Sequence, residues 1–171
     1  MDGPLVTIGV PVFRGDKDLP TTLECLRTQT YASLDVVISV DGPGDPSVEA
    51  ARPFLQDPRF RLHVQPSRRG WAGNLDWTMR NRRGAFFIFQ QHDDQVSPTY
   101  VADLVAAAAR WPKAAVCFSE MDVSGSAHHL VRHKSILGDA VSRALTHIER
   151  LETSMFRGLI RGASLDAVGG L

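Results

Sequence analysis

The feature that most constrains this chain is a repeated alternation: short apolar runs that stop abruptly, each followed by a helical pattern. "LVTIGVPVF" (5–13) is rich in β-formers and contains Pro11 near its end, and "KDLPTTLECLRTQT" (17–30) then places Leu19, Leu23 and Leu26 at helical spacing. "DVVISVD" (35–41) is a continuous apolar strand that ends at Asp41. "GDPSVEAARPFLQD" (44–57) offers Asp45 as a cap and Pro46 at the first helical position, with Pro53 set to kink or end the helix. A strand at 60–65, a helix at 71–83 stopped by Gly84, and a buried strand "AFFIFQ" (85–90) follow. Ser97 and Pro98 open a predicted helix over 97–112, with Val101, Leu104, Val105 and Ala108 on one face, and "AAVCFSE" (114–120) reads as the next strand. Five such alternations predict an α/β domain with a mostly parallel sheet. Residues 121–136 are polar and irregular, 137–151 form an amphipathic helix pattern through Val141, Leu145 and Ile148, and 156–171 read as strand, short helix and stop.

Composition excludes several alternatives. With 171 residues there is one domain's worth of core. The formal charge is zero, from 19 basic and 19 acidic side chains, which argues against a dedicated nucleic-acid binder. Cys25 and Cys117 both sit in apolar patterns and read as buried thiols of a reducing compartment rather than a disulfide framework. There is no bilayer-length apolar stretch and no leader pattern at the N-terminus, so the expected location is cytoplasmic.

In an open α/β sheet, ligands bind beyond the carboxyl ends of the strands, where strand order reverses. Pro11, Asp41 and the adjacent acids Asp93 and Asp94 all fall at such ends. Two neighbouring carboxylates repel, which raises the question of what faces them; taken alone they read equally well as exposed turn acids beside the helix cap Ser97.

The ordered set of segments resembles family 2 glycosyltransferases of the GT-A fold, a Rossmann-like α/β architecture. The family's "VSVIIPVYN", "L.S.L.QTY" and "IIVVDDGSTD" are matched by "VTIGVPVFR" (6–14), "LECLRTQTY" (23–31) and "VVISVDGPGD" (36–45). The family's asparagine-bearing helix and "GEYI.FLDADD" strand resemble "RRGWAGNLDWTMRNRRGAFFIFQQHDD" (68–94), and "GLIRREALEAVGGF" resembles "GLIRGASLDAVGGL" (158–171). The resemblance covers essentially the whole chain, as a single domain 1–171 with a nucleotide-sugar-binding half at 1–120 and a partial acceptor-side half at 121–171. It implies that Asp41 hydrogen-bonds the nucleotide base and that Pro11 and Val12 pack beside it. It places Asp93 toward the ribose and Asp94 on a divalent cation, Mg²⁺ or Mn²⁺. Arg68 and Arg69 would supply cationic contacts. The implied reaction is metal-dependent, inverting transfer of a sugar from a nucleotide-sugar, UDP-sugar foremost, to a glycan or other hydroxyl acceptor. Peripheral membrane association would come through the acceptor.

The sequence also departs from the family pattern. Val40 replaces the first acid of the second-strand pair, Gln91 and His92 replace the start of the "DADD" form, and Leu75 and Asp76 stand where the family has arginine and asparagine. The family's general base is an acid shortly after the "VGGF" segment, and no residue of 1–171 matches it. The candidates within the chain are therefore Glu120, Asp122 and His92, and a nucleotide-binding module without turnover is the competing reading. An aspartyl phosphohydrolase is disfavoured because Ser39 stands where "SVDGPGD" (39–45) would need the nucleophile, and a dehydrogenase because no G-x-G-x-x-G follows a strand. His128, His129 and His133 contain a metal-compatible i, i+4 pair, but solvated histidines are the simpler reading. Trp71 and Trp77 read as core or acceptor-floor residues.

Overall fold

The computed structural model describes residues 3–124, 128–150 and 154–169. Its centre is a six-stranded sheet of β1 (Val6–Val12), β2 (Leu34–Val40), β3 (Phe60–Val64), β4 (Phe86–Phe89), β5 (Val116–Cys117) and β8 (Leu159–Arg161), in the order β3-β2-β1-β4-β8-β5. The first four are mutually parallel, and β8 is inserted antiparallel between β4 and β5. Two faces are covered. Val6, Ile8, Val10 and Val12 point with Val36, Ile38, Val40, Phe86 and Ile88 toward α1 (Leu19–Arg27), α2 (Ser47–Ala51) and α4 (Tyr100–Arg110). Phe87 and Phe89 point the other way, onto Leu75 and Met79 of α3 (Gly70–Arg80) and Leu165 of α6 (Gly162–Val168). The period-2 alternation of one strand thus feeds two cores, which is why these strands read as unbroken apolar runs.

Helix boundaries differ from the sequence pattern for local reasons. α2 ends at Ala51 and tightens into a 3₁₀ turn, Arg52–Gln56, around Pro53. α4 begins at Tyr100 rather than Ser97, because the Ser97 and Pro98 carbonyls accept from Gln29 Nε2 (2.7 Å) and the Thr30 amide (2.8 Å) at the end of α1. β5 is shorter than 114–120; as an edge strand it has a ladder partner only over Val116 and Cys117.

The segment expected to be irregular contains a two-stranded ribbon, β6 (Met121–Val123) with β7 (His129–Val131). The histidine pair is therefore not on a helix, and His128 faces Asp122 at 3.1 Å in solvent. Among the described residues no three His, Cys, Asp or Glu side chains are grouped to hold a metal. α5 (Ala140–Arg150) forms as the pattern predicts, but Val141, Leu145 and Ile148 are 69%, 55% and 64% exposed rather than packed. Leu151 and Gly170–Leu171, the ends of the last two predicted segments, lie outside the described residues. No helix among the described residues is long and apolar enough to cross a membrane.

Candidate functional site

Strand order reverses between β1 and β4, so a crevice opens beyond their carboxyl ends. Two loops at the β1–β2 side are fixed to each other through Asp45. Its carboxylate accepts from the Arg14 amide (2.8 Å) and from the Ser47 amide (2.9 Å), while Ser47 Oγ accepts from the Gly15 amide (2.9 Å). Desolvation alone would raise the Asp45 carboxyl. The hydrogen bonds from Ser47 and Arg14 outweigh it and hold the group below the usual carboxylate range. This clamp keeps Arg14, a non-glycine residue, at φ 51°, in the left-handed region.

Asp41 follows β2 and is 2% exposed. Its Oδ1 accepts from the Arg69 amide (2.7 Å) and its Oδ2 from the Gly70 amide (3.1 Å), with Arg68 Nε 3.8 Å away. The amides that open α3 have no helical carbonyls to bond, and Arg69 gives no side-chain cap, so a carboxylate from the neighbouring strand end fills that role. Each carboxylate oxygen still has capacity for a further donor. A cleft of 170 Å³ opens here, lined by Asp41 together with Phe13, Arg14, Arg68 and the turn 42–46. Arg68 lies over the Phe13 ring at 3.7 Å. Pro11 and Val12 are buried inside β1, paired in register with Ser39 and Val40, so Phe13 and Arg14 are the β1-end residues that reach the cleft.

Beneath this cleft runs a buried polar network that the sequence reading missed. Asn74 Nδ2 donates to the Ser39 carbonyl (2.8 Å), its Oδ1 accepts from Ser39 Oγ (2.7 Å), and Gln65 Nε2 reaches both Ser39 Oγ (3.0 Å) and Asn74 Oδ1 (3.3 Å). Gln65 Oε1 in turn accepts from Arg69 Nε (2.7 Å). The inward-facing asparagine of α3 is thus Asn74, whereas Asp76 pairs with Arg80 on the outer side (2.7 Å). Asn74→Ala is expected to cost about 2–3 kcal/mol in urea unfolding, because it strands the Ser39 carbonyl and hydroxyl in the core. A loss below about 0.5 kcal/mol would show the network to be dispensable.

At the β4 end, Thr22 Oγ1 donates to the carbonyls of His92 (2.7 Å) and Asp94 (3.0 Å), and Gln90 Nε2 donates to the latter as well (3.0 Å). The loop is therefore held through its backbone carbonyls. His92 lies against Gly15, where an added Cβ would come within 2.4 Å of the ring, so glycine lets the imidazole rest on the β1 loop. Asp93 is exposed. Asp94 is half-buried, and its Oδ2 is 3.0 Å from Arg157 Nη1. Burial pushes the Asp94 carboxyl up, the Arg157 guanidinium opposes this, Asp93 adds to the rise, and the net direction is upward.

Arg157 was not singled out by the sequence. It ends a 3₁₀ turn, Ser154–Arg157, immediately before β8. Its Nη1 also reaches Met121 Sδ (3.3 Å), its Nη2 donates to Gln91 Oε1, and its carbonyl accepts from Tyr100 Oη (3.0 Å), whose phenol burial pushes up to about 12. Beside it, Phe156 stacks on Phe89 (5.1 Å), and Trp71 meets both rings edge-on. Trp77 stacks on His63 instead. Glu120 and Asp122 are exposed and face Arg132 (3.6 Å) and His128. Strand alternation turns Asp122 away from the side on which Met121 touches Arg157. A divalent cation at Asp94 would need several oxygen donors. Phosphate oxygens and water can supply most of these, but the half-buried carboxylate already holds a guanidinium, so the side chains as arranged do not offer Asp94 to a metal.

Comparison with known proteins identifies the family and the fold. The model of the family "Glycosyl transferase family 2" matches residues 7–167. The putative glycosyltransferase EpsH of Bacillus subtilis is 27% identical over 118 residues, covering 68% of this chain and 34% of EpsH. The uncharacterized glycosyltransferase YibD of Escherichia coli is 32% identical over 109 residues, covering 60% of this chain and 30% of YibD. The crystal structure of S. aureus TarS 1–349 in complex with UDP-GlcNAc superimposes with a TM-score of 0.77 at 16% identity, over 96% of this chain and 47% of that one. A mannosyltransferase from Pyrobaculum calidifontis in complex with GDP-Man and Mn²⁺ does so with a TM-score of 0.55 at 24% identity, over 65% of this chain and 33% of that one. The chain thus spans about a third of EpsH and about half of the TarS structure.

Proposed function

The chain belongs to glycosyltransferase family 2, and from that membership we propose that it transfers a sugar from a nucleoside-diphosphate donor, UDP-sugar foremost, to an acceptor hydroxyl with inversion. The observation that carries the donor assignment is the cleft at the β1–β2 ends, where two buried carboxylates (Asp41, and Asp45 engaged in the loop clamp), a flat aromatic ring and two guanidinium groups converge. Asp41 accepts an N–H of the base while its other bonds hold α3. Phe13 and Arg68 offer flat faces for stacking, with Pro11 and Val12 supporting them from within β1, and Arg69 braces the floor through Gln65. Asp93, exposed one strand beyond β1, takes the ribose hydroxyls in this reading. The TarS structure with UDP-GlcNAc supports this choice of donor class by likeness of fold.

In the transfer, the acceptor oxygen forms a bond to the anomeric carbon as the bond from that carbon to the phosphate oxygen breaks. The bonding pair leaves on the nucleoside diphosphate, and the acceptor proton passes to a general base. Among Glu120, Asp122 and His92, position favours His92, held in the crevice against Gly15, since the other two are exposed and turned to Arg132 and His128. Mg²⁺ or Mn²⁺ at Asp94, as the family resemblance implies, would have to displace Arg157, and no step is assigned to it.

The test is calorimetric titration of UDP into the protein and into Arg68→Ala. Arg68 is an exposed side chain, so its loss leaves the fold intact, yet removal of its charge and its stacking face is expected to weaken UDP by about tenfold. Unchanged affinity would move the base out of this cleft.

A further inference from the structure

We infer that Arg157 is the cation of this site: it pairs with Asp94 in the place the family resemblance gives to a divalent metal, and it supplies the positive charge that receives the donor's diphosphate. The inference rests on the donor reading above. Three observations carry it. The first is the Arg157–Asp94 pair at 3.0 Å, located at the end of β4 beside the strand-order reversal. β1 lies between β2 and β4, so a ligand whose base sits over Asp41 reaches the end of β4, whose following loop carries Asp94, after two strand spacings, roughly 10 Å. The diphosphate of such a ligand therefore arrives where Arg157 stands.

The second observation is how Arg157 is held. Nη2 bonds Gln91, a residue standing where the family pattern has an acid, so the substitution that removes one anion from the loop adds an acceptor for the guanidinium. Its backbone is fixed by Tyr100, and its planar head lies between Asp94 and Met121. The third is spare donor capacity. The Nε–H is buried, but the two Nη groups carry four N–H donors and their acceptors among the described residues are three, Asp94 Oδ2, Met121 Sδ and Gln91 Oε1. A guanidinium binds phosphate oxygens in a fork and needs no deprotonation or metal exchange. Asp94 then acts as the group that orients Arg157.

The experiment is calorimetry of UDP and, separately, of uridine, each in EDTA and in Mn²⁺, with wild type, Arg157→Ala and Arg157→Lys. Wild type is expected to bind UDP with nearly equal affinity in EDTA and Mn²⁺. Arg157→Ala should lose about tenfold or more for UDP in EDTA, keep its affinity for uridine, and recover part of the loss in Mn²⁺, because Asp94 is freed for the cation. Arg157→Lys should fall between the two, keeping the charge without the fork. Uridine binding guards against misfolding, which would remove both ligands together. Strict Mn²⁺ dependence in wild type, or full UDP affinity of Arg157→Ala in EDTA, overturns the role of Arg157 and leaves the donor reading standing. Failure of wild type to bind UDP under either condition overturns the donor reading and this inference with it.

Discussion

Asp41→Ala is expected to lower the unfolding free energy by about 2–4 kcal/mol and to weaken UDP binding in the same protein. The carboxylate is 2% exposed and carries two backbone donors of α3, those of Arg69 and Gly70. Alanine leaves both N–H groups without an acceptor at a helix start, where they also concentrate the positive end of the helix dipole. Arg68, 3.8 Å away, loses the charge that draws it toward the cleft. Asp41→Asn is the control. It keeps the volume but turns an amide N–H₂ toward one of the two donors, so its loss should be intermediate. Urea unfolding followed by tryptophan fluorescence measures the stability change, and UDP calorimetry well below the unfolding midpoint measures binding. A variant as stable as wild type would mean that α3 is capped by water, and that Asp41 has no structural role to separate from its contact with the base.

The parts of this molecule that were legible in the sequence are those whose cause is local. β1, β2 and β4 declared themselves because strands covered on both faces need apolar side chains on both, and α1 because Leu19, Leu23 and Leu26 return to one side every turn. Pro11, Asp41, Asp93 and Asp94 could be expected at one end of the sheet because a parallel sheet gathers its carboxyl ends, whereas Arg68 and Arg69 entered only through the family resemblance. What was not legible depends on contacts distant along the chain. Nothing near 159–161 signals that β8 enters antiparallel between β4 and β5. The choice between Asn74 and Asp76 turned on helix phase: two residues rotate a side chain by roughly 200°, from the strand-facing side of α3 to its outer side. The exposure of Val141, Leu145 and Ile148 was equally hidden, since amphipathicity states that a helix has an apolar face and not what lies against it. Arg157 carries no pattern at all. Its importance lies in its partners, Asp94 and Gln91, which belong to another strand end.

Gly158→Ala is expected to cost about 3 kcal/mol or more and to disturb the site through Arg157. At Gly158 an added Cβ would lie 2.3 Å from the Cys117 carbonyl oxygen, 2.9 Å from Phe118 Cβ and 3.0 Å from the Cys117 carbonyl carbon. Two of those atoms are backbone, so no rotamer change relieves the overlap. The chain must instead shift β8 away from β5 at the point where Cys117 pairs with Leu159. Leu159 is 1% exposed and belongs to the main core, so the shift also opens packing that the sheet depends on. Arg157 precedes this glycine directly, and its reach to Asp94 and Gln91 is set by how closely β8 enters the sheet. The expected signature is a lower urea midpoint with an unchanged slope, together with weakened UDP binding and preserved uridine binding in the fraction that remains folded. A midpoint within error of wild type would mean that the edge strand β5 yields freely, and the close approach at Gly158 would then have no energetic consequence for the sheet or for the position of Arg157.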